Sequence, residues 1–194
     1  MPRRDQGARD QGALKKDLTE HFVSGETVYD GVLLEVHRDR VRLPDGAEST
    51  REYINHPGAV AIVALFDDGS VLLERQYRYP QGREFIEIPA GKRDPGEAHL
   101  ATARRELLEE TGYTAAEWTR LGVIHTAIAY TNEAIELFVA RKLTKGERKL
   151  DEGEFLEILT VPFAEAIAMI ADGRITDAKT TTALLLAERL AKQP

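Results

Sequence analysis

Residues 98–111, AHLATARRELLEET, read as a helix, and Gly112 reads as its C-terminal stop. Glu106, Glu109 and Glu110 crowd into five of its residues. At about 100° per residue they share one sector roughly 100° wide. Leu100, Ala103 and Leu107 form the neighbouring apolar stripe. Like charges three or four residues apart destabilise a helix, so the crowding needs a cause. One cause is a solvated acidic face. The other is a hard cation, Mg²⁺ or Mn²⁺, which takes oxygen ligands and lets phosphate oxygens complete its shell.

The surrounding chain fits one domain with a small extension. Residues 4–13, RDQGARDQGA, write one five-residue unit twice without apolar periodicity, as a disordered tail does. TVYDGVLLEVHRDRVRL (27–43) predicts two short strands with a turn near Asp39. GAVAIVALF (58–66) predicts a buried strand, and DDGS after it a turn. VLLERQYR (71–78), EFIEIPAG (84–91), AIELFVARKL (134–143) and FLEILTVP (155–162) predict further strands. FAEAIAMIADG and DAKTTTALLLAERLAKQ predict helices, the first closed by Gly173. Strands outnumber helices without regular alternation, which makes a mixed α/β (α+β) chain. The expected organisation is a tail over 1–20, a β segment over 21–56 and the main domain over 57–194.

Several function classes drop out. The chain has no cysteine, which excludes disulfides, thiolate catalysis and cysteine-type zinc sites. No apolar run approaches the roughly 20 residues of a membrane span. The basic N-terminus has no apolar core behind it, so it is not expected to be a secretory signal, and a cytoplasmic location is expected. A net charge of -7 argues against nucleic acid as the main partner. It leaves room for anionic small molecules, because a metal ion can bridge two sets of negative charges.

Gly91 is followed after five residues by Glu97, and after seven more by Arg105, Glu106, Leu107, Glu109, Glu110 and Gly112. This resembles the Nudix box at all seven fixed positions across residues 91–112. Tyr113 stands where the family usually has a smaller aliphatic residue. The resemblance implies an α/β/α sandwich around a mixed sheet and hydrolysis of a nucleoside diphosphate linked to another group. It also implies divalent metal held by Glu106, Glu109, Glu110 and the Ala90 carbonyl. Arg105 and Glu97 would orient that cluster through an ion pair.

STREYINHPGAVAIVAL, LLERQYRYP, EFIEIPAGKRDPGE and LDEGEFLEI further resemble the ADP-ribose pyrophosphatase branch, over about residues 27–190. In that branch Arg51 and Glu52 would recognise the adenine end. Arg78 would contact phosphate, a task that suits a guanidinium. Glu154, with Glu152 as the alternate, would be the base or a further metal ligand. Many members carry a proline about 16 residues beyond the box, where Ile128 and Ala129 stand here. The loop HTAIAYTNE (125–133) would still line the ribose end, with Glu133 as a polar contact and His125 in no catalytic role. That departure leaves open another nucleoside diphosphate sugar such as a GDP-hexose, and a sugar-binding regulatory module is the non-enzymatic alternative. The branch further implies a homodimer with shared sites, because a small N-terminal sheet has little of its own to bury.

Overall fold

The computed structural model describes residues 17–150 and 153–192. The repeat at 4–13 lies outside the described residues. The chain divides after Glu52 into two compact units.

The first unit holds an antiparallel hairpin of β1 (His21–Asp30) and β2 (Glu35–Arg42), followed by β3 (Glu48–Asn55) in the order β1-β2-β3. The turn expected near Asp39 is elsewhere. It spans Gly31 to Leu34, whose N–H···O bond is 2.9 Å, and Asp39 lies within β2 opposite Gly25. A Cβ at Gly25 would stand 2.0 Å from the Asp39 carboxylate, so glycine there lets that side chain rest across the pair. The alternation in HRDRVR is that of a ribbon strand, not a turn. Every residue of β1 is exposed, Phe22 and Tyr29 included, and among the described residues of this unit only Val41 is buried. Ion pairs of Arg38 with Glu52 and of Arg51 with Glu20 tie its strands together.

The second unit is built around β4 (Ala59–Ala64), in which every residue is buried. It lies within a mixed sheet of order β7-β4-β9-β8. In that sheet β4 runs parallel to β9 (Ala134–Lys145), while β7 (Ala90–Lys92) and β8 (Tyr113–His125) run antiparallel to their neighbours. Successive side chains of a strand point to opposite faces. Val60, Ile62 and Ala64 therefore pack with Ala103 and Leu107 of helix α1 (His99–Thr111). Ala59, Ala61 and Val63 pack with Met169 of α2 (Phe163–Ala171) and Leu184 of α3 (Ala178–Ala191). Helices on both faces make the expected α/β/α sandwich. A second, antiparallel sheet has the order β10-β5-β6, from β10 (Leu156–Pro162), β5 (Ser70–Arg78) and β6 (Arg83–Glu87).

The stretch expected as one strand over 84–91 is two strands. It leaves β5 after Glu87, passes Ile88 and Pro89, and joins β4 as β7. Proline cannot donate to a ladder, and here its carbonyl accepts from Ile62 N–H at 2.9 Å. That switch between sheets delivers Ala90 and Gly91 to the face of α1 that carries Glu106 and Glu110. Gly112 closes α1 in the left-handed region (φ 74°), its N–H bonded to Leu108 O at 2.8 Å. The long β8 gives only a weak sequence signal, because most of its residues are exposed and Gly122 interrupts its register with β9. Among the described residues no helix is long and apolar enough to cross a membrane.

Candidate active site

The sheet switch and the face of α1 meet at a cavity of ≈ 620 Å³ in the second unit. Its wall includes Ala90, Gly91, Arg105, Glu106, Glu110 and Glu154. Burying Ala103 and Leu107 fixes the rotation of α1, and that rotation turns the glutamates toward the cavity. Gly91 has a steric reason to be glycine. A Cβ there would stand 2.0 Å from the Glu106 carboxyl carbon, so only a bare backbone lets the carboxylate rest against it.

Arg105 organises the acidic cluster. Its Nη1 donates to Glu106 at 2.8 Å and to Glu109 at 3.0 Å. Its Nε and Nη2 donate to Glu97 at 3.2 and 3.0 Å, and Nη2 also reaches the Lys92 carbonyl at 3.1 Å. The Arg105 hydrogen bonds hold the Glu97 carboxyl down at about 2, and the same contacts raise Arg105 above its usual value. Glu109 remains half-buried beside Arg105.

The innermost carboxylates behave differently. Glu110 is buried and accepts from Ala90 N–H at 3.0 Å. Burial pushes it well above the usual range, and the charges of Glu74, Glu106 and Glu154 add to the push. Burial raises Glu106 as well, against the pull of Arg105. Glu74 of β5, which sequence reasoning missed, is 3% exposed, and burial pushes its carboxyl up to about 8. Its Oε1 has no hydrogen-bond partner, and a buried polar atom in that state costs about 1–3 kcal/mol.

These features fit a divalent metal. The donors at the cavity wall are the carboxylates of Glu106, Glu110 and Glu154, the hard oxygen ligands such ions take. Raised carboxyls and an orphaned buried oxygen mark a deficit of positive charge. Among the described residues no three acidic or histidine side chains surround a common point closely enough to hold an ion as they stand. The reason is local: Arg105 draws Glu106 and Glu109 to itself, and Ala90 N–H holds Glu110. A metal would take over those carboxylate oxygens.

Arg78, at the end of β5, lines the same cavity and donates from Nε and Nη2 to Glu87 at 2.7 and 2.8 Å. Glu133 also lines it, accepts from the Thr126 hydroxyl, and stands 3.6 Å from His56. Ile128, where the branch proline would stand, is exposed. His125 ends β8, exposed and apart from the cavity-lining residues. Arg51 and Glu52 belong to the first unit and its ion pairs. Glu152 lies outside the described residues. Besides Glu74, sequence reasoning missed Glu87, Asp177 and Lys179. Their signals were a glutamate at a core position in VLLER and in FIEIP, and a lysine in the first turn of a helix.

The NUDIX domain model matches residues 55–184, and the nucleoside diphosphate sugar hydrolase N-terminal domain model matches residues 20–54. The ADP-ribose pyrophosphatase of Bacillus subtilis (strain 168) is 38% identical over 171 residues, covering 87% of this chain and 92% of the relative. A GDP-mannose pyrophosphatase of Yersinia enterocolitica is 35% identical over 140 residues, covering 68% of this chain and 73% of the relative. A crystal structure described as an ADP compounds hydrolase superposes with a TM-score of 0.81 at 26% identity, covering 92% of this chain and 97% of that one.

Proposed function

The chain belongs to the Nudix family, and from that premise we propose that it hydrolyses the pyrophosphate bond of ADP-ribose to AMP and ribose 5-phosphate. The observation that carries this reading is one cavity in which Glu106, Glu110 and Glu154 stand with Arg78. Such a wall combines ligands for a hard cation with a guanidinium for phosphate. The names of the relatives in Bacillus subtilis and Yersinia support a nucleoside diphosphate sugar as substrate.

Each residue has a role in this reading. Glu106, Glu109, Glu110 and the Ala90 carbonyl hold the metal, Mg²⁺ with Mn²⁺ as substitute. Bound there, the ion would supply neutralisation of the phosphoryl charge. Arg105, anchored by Glu97, orients Glu106 and Glu109. Arg78 binds phosphate. Glu154, or Glu152 in its place, takes the proton of the attacking water as that water adds to one phosphorus. The bond from that phosphorus to the bridging oxygen breaks, and two monophosphates leave. Glu133 contacts the ribose end, and Arg51 with Glu52 the adenine end.

The organisation that accompanies it is a tail over 1–20, a dimer-forming β segment over 21–56 and the hydrolase domain over 57–194. A homodimer is supported by the exposed apolar side chains of the first unit, Phe22, Tyr29 and Leu33 among them. Absence of cysteine supports a cytoplasmic location. A GDP-hexose is the second reading, favoured by the GDP-mannose relative. Turnover of a panel of nucleoside diphosphate sugars with and without Mg²⁺ tests both. ADP-ribose is expected to give the highest kcat/KM. A clearly higher value for a GDP-hexose replaces the first reading with the second, and no metal-dependent turnover refutes both.

A further inference from the structure

We propose that Lys179 is a second phosphate-contacting cation of this cavity, acting beside Arg78 and held in place by Glu87. The proposal rests on the reading of the cavity as a diphosphate site. It assigns a role to a residue that neither the box nor the arginine of β5 brings in.

The arrangement is layered. Glu87 has a side chain 5% exposed and does not line the cavity. In front of it stand two cations that do line the cavity, Arg78 (44% exposed) and Lys179 (13% exposed). Arg78 grips Glu87 with Nε and Nη2. Lys179 Nζ donates to the same carboxylate and, at 2.9 Å, to Asp177. Burial works against the Glu87 charge, but Arg78 and Lys179 outweigh it and leave the carboxyl below its usual range. The buried anion thus fixes two cationic heads at one wall. Among the described residues Arg78 engages Nε and Nη2 and Lys179 two of its three N–H groups, which leaves Nη1 and one N–H as donors for a ligand.

Position and chemistry both point to an anionic ligand. Lys179 lies in the first turn of α3, at the end of a helix where the dipole disfavours a cation. Its placement needs Asp177 and Glu87 as compensation. Holding α3 against β6 would not require it, because apolar replacement of a buried ion pair is often neutral or stabilising. A nucleoside diphosphate carries negative charge on both phosphates. Arg78 and Lys179 supply two cations fixed at one wall of the cavity that holds Glu106, Glu110 and Glu154, whereas Arg105 of the same cavity is engaged by the glutamates.

The test is calorimetric binding in Mg²⁺ of inorganic pyrophosphate and of adenosine, which lacks phosphate. Lys179→Met is expected to weaken pyrophosphate on the order of ten-fold and to leave adenosine unchanged. Lys179→Arg keeps the charge and should stay within about two-fold of the original protein. With ADP-ribose, Lys179→Met should raise KM more than it lowers kcat. If Lys179→Met does not fold, the double variant with Glu87→Gln removes the uncompensated buried charge and takes the same measurements. Unchanged pyrophosphate affinity in the methionine variant overturns the proposal, as does an equal loss of adenosine or no pyrophosphate binding by the original protein. Loss of pyrophosphate affinity in a protein that does not turn over ADP-ribose supports the Lys179 assignment and refutes the substrate reading alone.

Discussion

Replacing Glu74 by glutamine should change how stability depends on pH. The glutamate is 3% exposed with an orphaned Oε1, and burial lifts its carboxyl from 4.5 to about 8. The folded state therefore keeps a proton that the unfolded chain releases. Below pH ~4.5 both states are protonated and the group contributes no pH dependence. Between ~4.5 and ~8 the unfolded state loses the proton first, so stability falls as pH rises. Above about pH 8 the whole loss is present. Each pH unit in that interval costs up to ~1.4 kcal/mol, and the full interval costs about 5 kcal/mol at most. Domains of this kind have about 5–15 kcal/mol in total, so the effect is measurable.

Glutamine keeps the shape and removes the titration. It also removes the charge that Glu74 would place beside Glu110 on ionising. Urea unfolding in a chelating buffer, at pH 5, 6, 7 and 8, should show variant and original protein close together at pH 5. The variant should be increasingly the more stable toward pH 8, by up to a few kcal/mol. A difference that stays constant across the series would refute the reasoning. Mg²⁺ added at pH 8 should narrow the gap, since a cation supplies the positive charge the cluster lacks.

Three further outcomes follow from the site. Glu110→Gln should keep the fold, checked by circular dichroism, and lose nearly all Mg²⁺-dependent turnover; substantial activity in a folded variant would contradict the metal-ligand role. Gly91→Ala places a methyl group where the Glu106 carboxylate rests, so kcat/KM should fall at least about ten-fold while the thermal midpoint moves by only a few degrees. If dimer sites are shared, exchanging subunits of Arg51→Ala and Glu110→Gln, each inactive alone, should restore up to half the original activity per mixed dimer, and exchange without recovery would count against sharing.

Local patterns carried much of the fold into the sequence. The apolar run of β4, the stripe of Leu100, Ala103 and Leu107, and Gly112 as a left-handed stop are each readable within a few residues. The glutamates and Arg105 were readable because one helix sets their spacing. Two kinds of feature were not. The break at Ile88 and Pro89 depends on which sheet receives each half of the stretch, and the hairpin turn falls on the apolar Gly31 to Leu34 while the polar turn signal lies around Asp39. The other kind is tertiary: Glu87 of β6 meets Lys179 92 residues later.

Strand β5 shows why such residues resist local reading and why they belong to the site. Leu72, Glu74, Gln76 and Arg78 share one face, since alternate residues of a strand do. Leu72 is packed with Leu107 in the core, while Gln76 and Arg78 line the cavity. One face therefore passes from hydrocarbon to ligand space within a few residues, and Glu74 stands at the crossing. A strand serving only the core would continue with an apolar residue there, which would remove the orphaned oxygen. A strand serving only the surface would expose the carboxylate and leave it ionised. Glu74 does neither: it stays buried and protonated, and ionising it would push Glu110 further up. The pH series on Glu74→Gln consequently probes the charge deficit that a metal would satisfy, and it does so without turnover as the readout.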